Sequence, residues 1–221
     1  MSDWHASGSY DPRQGIGIVV ERNGQLGYAK LNHIECEKLG ADLARLVGAP
    51  VPPVEIGTVE GRGPFAISHI HSPRSRPLAI AGALSEVYAP AVNAGLRAAS
   101  GLLSFLGWIG ADDHYGDTNL VVDELANGIR IVAIDFENAF SWAHGEEVVV
   151  QRAPPALLAN VERLRVDDQL RAIENLSAAQ IHHCCTDSGH QQATRIARVL
   201  QGRRDLLRPS FVKFGWLPAN Y

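Results

Sequence analysis

The sequence holds little sulfur: three cysteines, Cys36, Cys184 and Cys185, and one methionine in 221 residues. An odd count with two adjacent thiols gives no disulfide framework, so the expectation is a reduced, cytoplasmic protein. His182 and His183 precede Cys184 and Cys185. Neighbouring helical residues point about 100° apart, so these four do not converge on one metal. No apolar run approaches the roughly 18 residues of a membrane helix, and no basic-then-apolar leader opens the chain. Positive charge is not in excess either: 20 Lys and Arg stand against 24 Asp and Glu, a formal net charge of −4. Without a global positive field, neither nucleic acid nor an acidic membrane is expected as a partner. Repeats, low-complexity tracts and coiled-coil heptads are absent as well.

What is present is an ordinary globular mix, 46% hydrophobic and 20% charged, long enough for one large domain or two small lobes. GIGIVVE (15–21) and LGYAKLN (26–32) read as strands around Asn23-Gly24, a tight hairpin signal. From Ile34 to Val47 apolar residues recur at helical spacing, and Gly48 with the following prolines ends the helix. PVEIGTVEGRGPFAISHI reads as two more strands around Glu60–Gly63, and HSPRSRP (71–77) as a linker. One long apolar helix is predicted over 92–109. NLVVDE and GIRIVAID form a second hairpin around Asn127-Gly128. Helices follow at about 155–165, 168–175, 177–185 and 187–206, the third opened by a Ser177/Gln180 capping box. Trp4, Trp108, Trp142 and Trp216 read as packing groups. The expected fold is α+β with two lobes: residues 1–72, a small β-rich lobe with one helix, and residues 73–221, a mainly helical lobe.

Chemistry concentrates in GADDHYGDTNLVV (110–122) and IVAIDFENAF (131–140). A carboxylate at the end of a buried strand is costly unless paired, so Asp135 is expected to face a cleft. Asn119 opens the partner strand. Together they offer the hard oxygen donors that suit Mg²⁺. Asp112, in the loop after the apolar helix, is placed to orient an incoming hydroxyl. Lys30 can reach anionic phosphates, and Glu37 on the next helix can hold it by ion pairing. Lys, Glu, Asp, Asn and Asp in that order supply what phosphoryl transfer needs, which is positioning and charge neutralisation.

In these segments the chain resembles the HipA-like kinases of the protein-kinase-like superfamily. YAKLN resembles their strand with the ATP-binding lysine, which maps to Lys30. CEKLGADLARLVGAPVPP resembles their paired-glutamate helix, which places that glutamate at Glu37 rather than Glu35. DDHYGDTNLVV resembles the catalytic D-R-H-x-x-N-x-L loop, and IVAIDFENAF the metal-binding strand. GRRDLL (202–207) resembles the closing helix. The resemblance runs over roughly residues 5 to 208. It implies a two-lobed kinase fold, ATP and Mg²⁺ as cofactors, and a serine or threonine on a protein as acceptor.

Two departures stand out. The family separates its catalytic Asp and Asn by five positions, whereas Asp112 lies seven before Asn119 (119 − 112) and Asp113 six. An insertion within 115–118 keeps Asp112-Asp113-His114 as the D-x-H group. Asp112 is then the catalytic residue, Asp113 and Asp117 are its competitors, and His114 shapes the loop. The N-terminus is also short. Ser7, Gly8 and Ser9 would offer backbone N–H groups to phosphate. The resemblance also makes Ser7 and Ser9 candidate autophosphorylation sites. IDFENAF is similar, too, to the I-D-L-E-T-L-F stretch of lanthipeptide dehydratases, and a pseudokinase or docking module is the third reading.

Overall fold

Asn23 and Gly24 both take positive φ, 52° and 78°, and so close a two-residue turn. The turn joins β2 (Ile18–Arg22) to β3 (Gln25–Lys30) in the computed structural model, which describes residues 3–7, 17–70, 75–78, 89–111, 119–140, 154–215 and 217. With β1 (His5–Ala6), β4 (Val54–Val59) and β5 (Arg62–Ile70) they form an antiparallel sheet of order β1-β2-β3-β5-β4. Trp4, just ahead of β1, bridges Val59 at the far edge, where its N–H donates to the Thr58 carbonyl at 3.3 Å. The sheet therefore curls until its edges meet. Alternation along the strands turns Val20, Ala29, Phe65 and Ile67 into the curl, where they pack on Trp4 as a small core.

Helix α1 (Ile34–Val47) carries two faces. Ala41 packs on Val54 and Ala66 of the sheet. Leu39, Leu43, Ala44 and Val47 enter a second, larger core built from the C-terminal part. Each buried leucine contributes about 1.5–3 kcal/mol, so this face ties the helix firmly to the helical half. Gly48, at φ 68°, ends α1 in the left-handed conformation that favours glycine.

The C-terminal part is helical around a short sheet. The single helix expected over 92–109 is two, α2 (Ala89–Ala98) and α3 (Leu102–Ile109). The break has a tertiary cause. Buried Ser100 accepts the Glu162 N–H at 2.9 Å, and Gly101 lies where a Cβ would come within 3.1 Å of Gln169. Beyond come α4 (Pro155–Ala159), α5 (Arg163–Glu174), α6 (Ala178–Asp187) and α7 (Ala193–Lys213). The expected helix over 155–165 stops at Asn160, whose side-chain amide donates to the Ala156 carbonyl instead of continuing the turn. The last helix starts six residues later than expected because Gly189 takes φ 74°. Ser177 and Gln180 form their capping box. Trp108 is fully buried and its indole N–H donates to the Leu200 carbonyl at 2.8 Å, tying α3 to α7.

The segment read as a linker contributes a strand. β6 (Arg76–Pro77) pairs with β7 (Leu120–Leu125), which pairs with β8 (Gly128–Ala133). Asp123 on β7, 1% exposed, accepts from the Ser75 hydroxyl at 2.7 Å and from Arg130 at 2.5 Å. Burying that carboxylate without such partners would cost several kcal/mol, roughly. No described helix is long and apolar enough to cross a membrane. The fold is α+β: a curled antiparallel sheet with one helix, then a helical part around a three-stranded sheet.

Candidate active site

Lys30 is the last residue of β3, with its side chain only 11% exposed. Its ammonium touches three carboxylates drawn from two distant parts of the chain. Glu37, one turn into α1, accepts at 3.2 Å. Asp135, just past β8, accepts a short hydrogen bond. Glu137 stands 3.6 Å away. Lys30 and Asp135 are 105 positions apart in sequence, so tertiary structure alone brings them together.

Local structure explains the convergence. Asp135 has φ 66°, the left-handed region that costs a non-glycine residue about 1 kcal/mol or more. The strand β8 has ended at Ala133 and the chain turns at Asp135, so the carboxylate leaves the sheet toward Lys30. The next residue, Phe136, is fully buried and packs edge-on against Phe105, ring centroids 6.2 Å apart. Its N–H donates to Glu37 Oε1 at 3.1 Å. Helix α1 comes close enough for this because Gly40 has no side chain: a Cβ there would lie 2.6 Å from the Phe136 ring. Glu37 therefore bonds both Lys30 and the peptide that follows Asp135, and it registers the two halves against each other.

The electrostatics follow from burial. Glu37 is 1% exposed, and burial pushes its carboxyl up to about 6 against the pull of Lys30. Burial also works against the Lys30 ammonium, but the Glu37 and Asp135 carboxylates overcome it and hold Lys30 above its ordinary value. Lys30 therefore stays charged at neutral pH. Cys36, beside Glu37, has its thiol pushed up to about 11 by burial, with further push from Glu35, so it is no nucleophile at neutral pH.

Asn119 lies at the start of β7, and its carbonyl accepts the Ile134 N–H at 2.9 Å. The backbone thus sets it across from Ile134, one residue before Asp135. Among the described residues no group of three His, Cys, Asp or Glu side chains forms a metal cage by itself. A Mg²⁺ shared with a polyphosphate asks for less: one or two protein oxygens, with water and phosphate completing the shell. The donor types at Asp135 and Asn119 fit that demand.

Asp112, Asp113, His114 and the competing Asp117 lie outside the described residues, as do Gly8 and Ser9. Ser7 lies just past β1, and its N–H donates to the Val19 carbonyl at 2.8 Å. That amide belongs to the sheet and is not offered to a phosphate. Glu137 was missed in the sequence. Its only signal is the spacing of two from Asp135, and nothing in IVAIDFENAF says that the chain turns back toward Lys30.

No family model matches the chain, and no curated protein matches it. Among solved structures, a Helicobacter pylori proinflammatory kinase, CtkA, aligns over 97% of this chain and 100% of its own, at 12% identity and a TM-score of 0.48. WaaP in complex with acyl carrier protein aligns over 98% of this chain and 86% of its own, at 14% identity and a TM-score of 0.36. Both superpositions are too loose to carry an argument, so the functional reading rests on the chain's own side chains.

Proposed function

We propose that this protein is an ATP- and Mg²⁺-dependent phosphotransferase, a serine/threonine protein kinase of HipA-like type. One observation carries the reading. A strand lysine, a helix glutamate and a hairpin aspartate, from separate elements, meet at one point with the lysine kept charged. Lys30 binds nucleotide phosphates and Glu37 holds it in place. Asp135 and Asn119 hold Mg²⁺, which when bound neutralises charge on the phosphates. Asp112 orients the acceptor hydroxyl, with Asp113 and Asp117 as alternates and His114 shaping the loop. Ser7, Gly8 and Ser9 belong to the segment over the phosphates and contribute through hydroxyls and the remaining amides. The adenine lies beside the stretch 66–71. The acceptor is a protein serine or threonine, and the location that goes with ATP and reduced thiols is the cytoplasm.

The test is direct. Purified protein with Mg²⁺ and labelled ATP is expected to transfer phosphate to itself or to a protein acceptor. ATP with Mg²⁺ should also raise its melting temperature, since a ligand that binds only the native state stabilises it. Asp135→Ala is expected to abolish both effects. Absence of both from the unaltered protein sinks the proposal, whereas a melting shift without transfer leaves a nucleotide-binding pseudokinase. Loss of one water from a peptide product, in place of a phosphate gain, would turn the reading to dehydratase chemistry.

A further inference from the structure

Lys30 is over-supplied with negative charge. Two of its carboxylates have other duties: Glu37 is buried and accepts the Phe136 N–H, and Asp135 faces the proposed cation. Glu137 is different. It sits two residues past Asp135 in the turn and reaches Lys30 at 3.6 Å from the open side, 35% exposed. Among the described residues, one ammonium among three carboxylates leaves a local sum of −2, in the place where the proposed nucleotide phosphates bind. For a site that recruits anions this is a handicap, unless the anion arrives with positive charge of its own.

We propose that Glu137 is a specificity residue that makes nucleotide binding depend on a divalent cation. This inference rests on the reading above. A metal-free nucleoside triphosphate is strongly anionic and meets Lys30 already shared with Glu137. It must displace a carboxylate and then lie beside it. A nucleotide complexed with a divalent cation is less anionic and presents a cation that Asp135 and Glu137 both attract, so the same carboxylate opposes its binding far less. Glu137 thus separates the two forms of the nucleotide by charge, at the cost of affinity for the uncomplexed one.

Binding calorimetry tests this on the whole protein. ATP is titrated once with EDTA and once with excess Mg²⁺, into the unaltered protein, Glu137→Gln, Glu137→Ala and a control, Glu21→Gln. Glu21 is exposed on β2 and pairs with Leu26, four residues up the strand from Lys30. Removing one half-exposed charge beside Lys30 is expected to tighten metal-free ATP about tenfold and to shift the Mg²⁺ complex by less than about threefold. The gain should shrink in high salt, and the control should match the unaltered protein. Metal-free titrations that coincide for Glu137→Gln and the unaltered protein, flat or not, overturn the proposal. So does a Mg²⁺-complex affinity that falls further than that limit. If the unaltered protein binds neither form, the phosphotransferase reading fails along with it; if it binds the Mg²⁺ complex and only the Glu137 comparison fails, that reading stands.

Discussion

Two charge clusters sit on the same curled sheet and obey different rules. At one end Arg22 and Trp4 both bond Glu55, and His69 lies 3.4 Å from the same carboxylate. Arg22 holds Glu55 at 2.7 Å, the Trp4 indole N–H donates to Glu55 at 2.6 Å, and the guanidinium lies 4.3 Å over the Trp4 ring. At the other end Lys30 faces Glu37, Asp135 and Glu137. The two glutamates at the centres respond in opposite directions. Burial pushes Glu37 up to about 6. At Glu55 burial pushes the same way but loses to the Arg22 and Trp4 hydrogen bonds, and its carboxyl sits below the ordinary value. The first cluster is balanced and closed, as a structural clamp should be. The second carries surplus negative charge at a junction between two halves of the chain. That imbalance, among the described residues, is what supports the proposed nucleotide and cation site.

The largest expected difference between the clusters comes from removing their cations. Lys30→Met leaves the Glu37 carboxylate buried without a counter-charge, and should cost about 3 kcal/mol of stability together with all nucleotide binding. Arg22→Met, at a more solvated pair, should cost about 1 kcal/mol or less and leave nucleotide binding unchanged. Denaturant melts and calorimetry on both variants decide it. Equal effects at the two ends would remove the distinction.

Gly40→Ala sharpens the comparison without touching a charge. Its Cβ would lie 2.6 Å from the Phe136 ring, which sits in the core and has little room to move. Overpacking there should cost about 1–3 kcal/mol, despite alanine's better helix propensity. Because α1 carries Glu37 and Phe136 follows Asp135, phosphate transfer should fall at temperatures where the variant is still folded. A stable variant with full transfer would mean that the spacing of α1 from Phe136 does not matter.

The smallest effect is on pH. Glu37 has its folded-state pKa raised from 4.5 to about 6, so between those values the folded protein binds more protons than the unfolded chain. Stability from this group therefore falls as pH rises across that window, by up to about 2 kcal/mol, and levels off above it. Glu37→Gln should remove that slope. Glu55 has the opposite sign: its stabilisation is present above the ordinary glutamate range and is lost as pH falls through its lowered pKa. A melt series from pH 4 to 7 that shows no slope assignable to Glu37 would undo the contrast.

The sequence made the local elements legible wherever the signal is local. Asn23-Gly24, the periodic run ending at Gly48, the Ser177/Gln180 box and the second hairpin all depend on neighbours within a few residues. Elements that depend on distant partners were not legible. Ser100 breaks the long apolar helix because it bonds Glu162, sixty-two positions on. Arg76 and Pro77 became a strand because β7 lies beside them. In the site, an aspartate after an apolar strand is an unusual position for unpaired charge and pointed to Asp135, whereas Lys30 and Glu37 were picked out only by the order of the set and by the resemblance. Glu137 carried no such sign.

By itself, then, the sequence offered candidates: an asparagine opening one apolar strand and an aspartate closing another, a strand lysine, and a helix glutamate that the resemblance chose over its neighbour Glu35. Tertiary structure alone decided that they meet. The meeting needs a glycine on α1 to let Phe136 in, and a left-handed turn at Asp135 to aim its carboxylate. Only then does burial give each charge its partner and its strength, because the attraction between charges grows as water is excluded from between them.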